Sequence, residues 1–273
     1  MPLRVPMTDV PVSLVPGGLT SRRLKDDGGK VWLWLALLLG GLTVAGAVML
    51  RAFRIDAGRI GSYLGILILA VAFVALLTGI ASRIGWGSAL AAAALVMGIG
   101  GGAEILNLYG AWPFGRYEYT DWWLPYVTLP NGKLFPLLLP VTWFLVVAVC
   151  YLVLARRLRG WPLIIGTALL AALVDLAMEP VITRVVLLWH WREPTPLLGA
   201  PYLNFLGWFI VAGLAACCLQ SLRVWRAHQL PHPIWMFPAG LCFTAVIGVS
   251  YGEGRGAVAL ALLPLLFWVQ RRA

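Results

Sequence analysis

Acidic side chains set in apolar sequence are where this chain could do chemistry. Asp175 and Glu179 stand four residues apart inside a long apolar run, a spacing that puts both carboxyls on one face of a helix. Ionisable residues in lipid are costly and mark functional sites by default. Burial disfavours the charged form of a carboxyl, and two side by side cannot both ionise easily, so such a pair joins a proton donor to a proton acceptor. Glu104 is a third acid in an apolar run, and Asn204 lies just inside another.

Each of these has a plainer reading. Glu104, near a helix end, could snorkel to water. Glu179 could pair with Arg184, although five residues is poor helical spacing. Asp175 is harder to explain away, because no Lys or Arg stands within four residues of it. His190, between Trp189 and Trp191, reads as an interface residue before it reads as an acid or base. His228 and His232 are four apart like metal ligands, yet Pro231 breaks the helix that would align them, and a solvated turn is the better reading. The four cysteines all lie in apolar segments without a CxxC pair, so neither a disulfide framework nor a zinc site is expected.

Composition says what must hold these groups. Of 273 residues, 61% are hydrophobic and only 12% charged, with mean hydropathy +0.86, against about 25% charged in soluble domains. The expected fold is all-α, a polytopic transmembrane helix bundle of seven or eight spans. The net charge of +10 does not point to nucleic acid, because the basic residues sit at the ends of apolar runs as topology signals. Residues 1–30 read as a mobile cytoplasmic tail and residues 31–273 as one transmembrane domain. The expected spans are Val31–Leu50, Ile60–Ala81, Trp86–Leu108, Leu134–Ala155, Trp161–Leu188, Tyr202–Leu222 and Ile234–Tyr251. Ala257–Val269 is an eighth span or an interfacial helix. Pro180 should kink the fifth span just beyond Glu179.

With eight spans, which put Arg271 and Arg272 on the side of the N-terminal tail, thirteen Lys and Arg residues fall on that side and seven on the other, and Arg184 lies within the fifth span. This bias predicts a cytoplasmic N-terminus. Glu104, Asp175 and Glu179 then lie roughly 20 to 27 Å along outward-running helices, and Asn204 starts an inward-running helix at the same end. The loops 109–133 and 189–201 would cover them with Tyr117, Tyr119, Trp122, Trp123, Trp189 and Trp191.

Two dispersed blocks of these residues resemble a known family. The first is Glu104, Gly110, Pro113-Phe114-Gly115-Arg116-Tyr117-Glu118-Tyr119-Thr120, Pro140 and Trp143. The second is Asp175, Glu179-Pro180, Trp189-His190-Trp191, Gly199-Ala200-Pro201 and Asn204-Phe205-Leu206-Gly207-Trp208. Together, over residues 100 to 210, they are similar to the membrane-bound carotenoid biosynthesis family that contains the γ-carotene and bisanhydrobacterioruberin hydratases. The family's acid-Pro pair is usually Asp-Pro, where this chain has Glu179-Pro180, and its Tyr-rich run before Gly-x-Pro is here Thr195-Pro196-Leu197-Leu198.

The resemblance implies cofactor-independent addition of water to the terminal C1,C2 double bond of an acyclic ψ end group, leaving a tertiary hydroxyl. The substrate would be γ-carotene, lycopene or a related polyene in a bacterial or archaeal cell membrane, with lipid around the protein and other carotenoid-pathway enzymes as candidate partners. An isolated alkene needs a strong proton donor, which a neutral carboxylic acid supplies. Aromatic faces stabilise a desolvated cation by about 2 kcal/mol each. Asp175 or Glu179 is then the acid, the other acts with Glu104 as water-orienting base, and Asn204 positions them. Phe114, Arg116, Tyr117, Tyr119, Trp189, Trp191 and Trp208 are the candidate substrate contacts. No metal is called for. Three rivals remain: a proton- or cation-coupled transporter, a carotenoid-binding protein, and another isoprenoid-modifying enzyme such as a cyclase or isomerase. No internal repeat supports the first.

Overall fold

The computed structural model describes residues 58–193, 199–221 and 236–264, together with part of 31–52. The tail 1–30, Thr195 to Leu198, the turn with His228 and His232, and the last apolar stretch beyond 264 lie outside the described residues. The architecture is a helix bundle. Where described, residues 31–52 are helical. They are followed by α1 (Gly58–Ile84), α2 (Trp86–Gly110), α3 (Leu139–Leu154), α4 (Gly160–Val181), α5 (Tyr202–Ser221) and α6 (Met236–Ser250). Among the described residues, four helical stretches are long and apolar enough to cross a membrane, α4 counting together with the turn that extends it to Val186, and two apolar helices are shorter.

Two runs depart from their sequence reading, both at prolines. The run expected to be helical from Leu134 begins as a strand, β3 (Leu134–Pro136), and α3 starts only at Leu139 with Pro140 in its first turn. Proline has no N–H to give a helix interior, but a first turn leaves that donor unused. Beyond Glu179, where a kink is expected, the helix changes type. Helix α4 runs through Pro180 and then widens into a π-helical turn, Ile182–Val186, and the Thr183 hydroxyl donates to the Glu179 carbonyl at 2.7 Å. Widening is one way a helix absorbs a missing N–H. The stretch from Ala257 starts inside a 3₁₀ helix, Gly254–Leu262, which packs on α6 and α4.

Small residues let the helices approach closely. On α4, Ala168 faces Gly213 of α5, where an added Cβ would come within 3.4 Å of the alanine methyl. A Cβ on Gly207 of α5 would lie 2.8 Å from the Pro113 carbonyl and against the Phe114 ring. On α2, Gly100 leaves no room beneath the Trp143 indole of α3. Backbones this close gain dispersion contacts that lipid cannot match.

At one end of the bundle, two short antiparallel strand pairs replace loop. Strand β1 (Tyr117–Tyr119) pairs with β4 (Trp189–Trp191), placing Tyr117 opposite Trp191, Glu118 opposite His190 and Tyr119 opposite Trp189. Strand β2 (Tyr126–Thr128) pairs with β3. Because side chains alternate along a strand, the first pair turns tyrosines and tryptophans to one face and Glu118 and His190 to the other.

The packing beneath Trp143 carries a direct expectation. Gly100→Ala overfills the contact and should cost roughly 1 to 3 kcal/mol, read as a lower melting temperature in detergent. Gly102→Ala, where an added Cβ meets nothing within 4 Å, should leave melting unchanged or slightly raised. Equal melting of the two variants would contradict the close approach.

Candidate active site

The acids named from sequence are all sealed inside the bundle. Relative exposure is 5% for Glu104, 1% for Asp175, 1% for Glu179 and 2% for Asn204. Asn204 sits in the first turn of α5, where its backbone N–H bonds to the Pro201 carbonyl. Its side-chain nitrogen donates to Asp175 Oδ2 at 2.7 Å and to Glu179 Oε1 at 3.2 Å. One nitrogen thus keeps the two carboxyl oxygens within about 6 Å of each other. Trp191 Nε1 donates to the other Glu179 oxygen, Oε2, at 2.9 Å. The described residues offer no donor to Asp175 Oδ1 or Asn204 Oδ1, and neither is a sealed orphan, since Gln220 Oε1 is the one such atom among them.

Glu104 has a separate set of partners. Tyr117 and Tyr119 both donate their hydroxyls to Oε2, the second at 3.0 Å, and Trp143 Nε1 donates to Oε1 at 3.0 Å. The two acid groups adjoin through rings, as Tyr117 meets Trp191 edge-on with centroids 4.9 Å apart. Glu104 also lies close enough to interact electrostatically with Asp175 and Glu179. Among the described residues, no three His, Cys, Asp or Glu side chains converge as metal ligands would. The pairing of Glu179 with Arg184 is not seen. Arg184 instead pairs with Glu253 at 3.4 Å.

The lid over these groups is the β1–β4 pair. Tyr117, Tyr119 and Trp191 are buried, and Trp189 stacks on Trp123 at 5.7 Å. On the opposite face Arg192 donates to Glu118, and His190 lies 3.6 Å from the same carboxylate. That hydrogen bond to Arg192 holds Glu118 below the usual 4.5. The other named contacts are placed differently. Trp208 stacks on Trp143 at 3.9 Å, Phe114 is buried against Gly207, and Arg116 is largely exposed, 4.0 Å from Glu193.

From the sequence, Trp123 stands only among the loop residues covering the acids and Trp143 only within a motif block, and Asn107 is not singled out. Asn107, 2% exposed, accepts from the Phe114 and Gly115 backbone N–H groups and donates to the Gly115 carbonyl at 2.8 Å. It anchors the strand-bearing loop to α2. Its position one turn from Glu104 was a usable signal. The reach of Trp143 from α3 to Glu104 had no local signal.

The model of one protein family matches residues 60–269, a span that takes in every one of these groups. The chain belongs to the carotenoid biosynthesis protein family. No curated protein and no solved structure matches it. Family membership gives this carotenoid biosynthesis protein a part in the carotenoid pathway, as an enzyme with a carotenoid substrate. Its apolar helices make it a multi-pass membrane protein.

Burial, and then the charge of Glu104, push the Tyr117 and Tyr119 phenols well above the usual tyrosine value of 10.0. Both stay neutral in the fold but would ionise near 10.0 once unfolded. Their contribution to stability is therefore whole below pH 10 and is lost as pH rises beyond it. Tyrosinate absorbance of the folded protein, followed from about pH 9 to 11, should rise by the same amplitude in Tyr119→Phe as in the parent. An amplitude smaller by one tyrosine would mean that this phenol titrates freely.

Proposed function

We propose that this protein is a carotenoid hydratase, adding water across the C1,C2 double bond of an acyclic ψ end group without a cofactor. The observation that carries the reading is the buried Asp175–Asn204–Glu179 bridge, lying under an aromatic lid in a carotenoid-pathway protein. A neutral carboxyl of the pair gives its proton to C2. The alkene π electrons form the new C–H bond, and C1 becomes a tertiary cation. Water attacks C1, a C–O bond forms, and the proton it releases returns to a carboxylate of the pair. The sum is alkene plus water to tertiary alcohol, with the acid restored.

Aromatic rings suit this reaction because they face a cation without capturing it. Tyr117, Trp191, Tyr119 and Trp189 line one face of the lid, which is the arrangement the reaction calls for. A polyene would lie among the helices, and water would enter beneath the strands. In this reading the N-terminus is cytoplasmic, the site lies near the outer face of a bacterial or archaeal cell membrane, and residues 31–273 work as one transmembrane unit. The acids gather at one end of the bundle, which favours a reaction site over a proton or cation path across the membrane.

Pigment analysis tests the reading. In cells accumulating lycopene or γ-carotene, the parent should yield a pigment heavier by one water, with an unchanged chromophore. Asp175→Asn and Glu179→Gln should each reduce its formation by roughly 10²- to 10⁴-fold. Unchanged pigment despite membrane expression would sink the proposal. A product of unaltered mass and altered spectrum would replace it with cyclisation or isomerisation.

A further inference from the structure

Glu104 and Asp175 are both buried acids, yet their surroundings ask opposite things of them. Glu104 receives three donors, two on Oε2 and one on Oε1. An ionised carboxylate accepts on both oxygens, whereas a neutral acid must itself donate from one. The only possible acceptors for Glu104 among the described residues are the same two phenol oxygens, and a proton given to either would take one donor out of the set, whereas the ionised form is served by all three at once. Its two phenols are held neutral well past 10.0 by burial, so they remain donors. No Lys, Arg or His among the described residues pairs with it. The three donors offset part of what burial costs a carboxylate, and with no cation beside it the rest of that cost is relieved when a positive charge arrives.

Asp175 has the complementary arrangement. It receives one donor, Asn204, on Oδ2, and its Oδ1 takes no donor among the described residues. Asn204 Oδ1, on the same amide whose nitrogen is committed to the two acids, likewise takes no donor among the described residues. A proton on Asp175 Oδ1 therefore conflicts with nothing, and a water held by the Asn204 carbonyl oxygen would stand next to it. Glu179 differs again, since it takes a donor on each oxygen.

We infer a division of labour resting on the hydratase reading: Asp175 carries the transferred proton, Asn204 Oδ1 holds the attacking water, and Glu104 is a permanent anion that stabilises the cation without exchanging protons. In the reaction, the Asp175 proton forms the C2–H bond. The C1 cation lies within the field of Glu104 and against the rings of Tyr117 and Trp191. The Asn204-held water supplies the C–O bond, and its lost proton goes back to Asp175 Oδ1. Glu104 thereby moves from water-orienting base to fixed counter-charge.

The test separates charge from fit. Two end-group probes are compared on the protein in lipid nanodiscs, by quenching of tryptophan fluorescence. In one, a dimethylammonium nitrogen replaces C1. The other is its neutral 1,2-dihydro isostere. The parent should prefer the ammonium probe. Glu104→Gln should weaken that probe about tenfold and leave the neutral one unchanged, while Asp175→Asn, which replaces an already neutral group, should bind both as the parent does. Equal weakening of both probes by Glu104→Gln, or selective loss of the ammonium probe in Asp175→Asn, overturns the assignment. If Glu104→Gln does not fold, infrared difference spectra of Asp175→Asn decide. The carbonyl band of a protonated acid should vanish, and loss of a carboxylate band instead overturns the assignment. The binding arms do not need turnover, so a parent that binds the probes with this pattern yet hydrates nothing would refute the hydratase reading and leave the anion site standing.

Discussion

One side-chain amide holds together two acids that would otherwise repel. Asn204 places a single nitrogen between Asp175 and Glu179, and because those acids belong to α4 and the amide to α5, the bond also sets how far one helix slides along the other. The small residues Ala168 and Gly213 permit the approach. They do not choose its register, since a stripe of small side chains is nearly as comfortable one turn away. The polar bridge chooses it, because a shift of one turn would strand two carboxyls and an amide in hydrocarbon with no water to satisfy them.

The same constraint explains the strands. A loop over a buried acid site brings backbone N–H and C=O groups that need partners at membrane depth, and β1 and β4 supply them to each other. Pairing also sorts side chains by face. Aromatic rings go down to the acids, and the polar side goes up toward solvent, where His190 and Arg192 are 60% exposed and Glu118 is 35% exposed. Asn107 completes the scheme by tying the loop backbone to α2. Every device that positions the site is thus a polar atom finding its match away from solvent.

Much of this could be read from the chain, and the remainder fails for identifiable reasons. Long apolar runs locate helices because only length and hydropathy are needed, so α1, α2 and α5 begin and end within a few residues of expectation. Asp175, Glu179 and Asn204 stand out because charge and amide groups in such runs are rare. The β1–β4 pairing was harder. Each strand is three residues long and the two lie some seventy residues apart, although the alternation Tyr-Glu-Tyr and Trp-His-Trp carries the period of a two-faced strand. The reach of Trp143 to Glu104 crosses from α3 to α2, and nothing local encodes it. The π-turn after Pro180 shows that a missing N–H can be absorbed by widening as well as by bending.

The separation of β1 from β4 also has a temporal side. Strand β1 follows α2, while its partner follows α4, so α3 and α4 are both synthesised between them. During that interval Tyr117 and Tyr119 have no opposite strand, and Glu104 waits beneath an open mouth. Only when α4 is seated can Trp189 and Trp191 come down, close the sheet and shut water away from the acids. Chain order therefore closes the sheet only after α4, and Asn204 on α5 reaches the two acids later still.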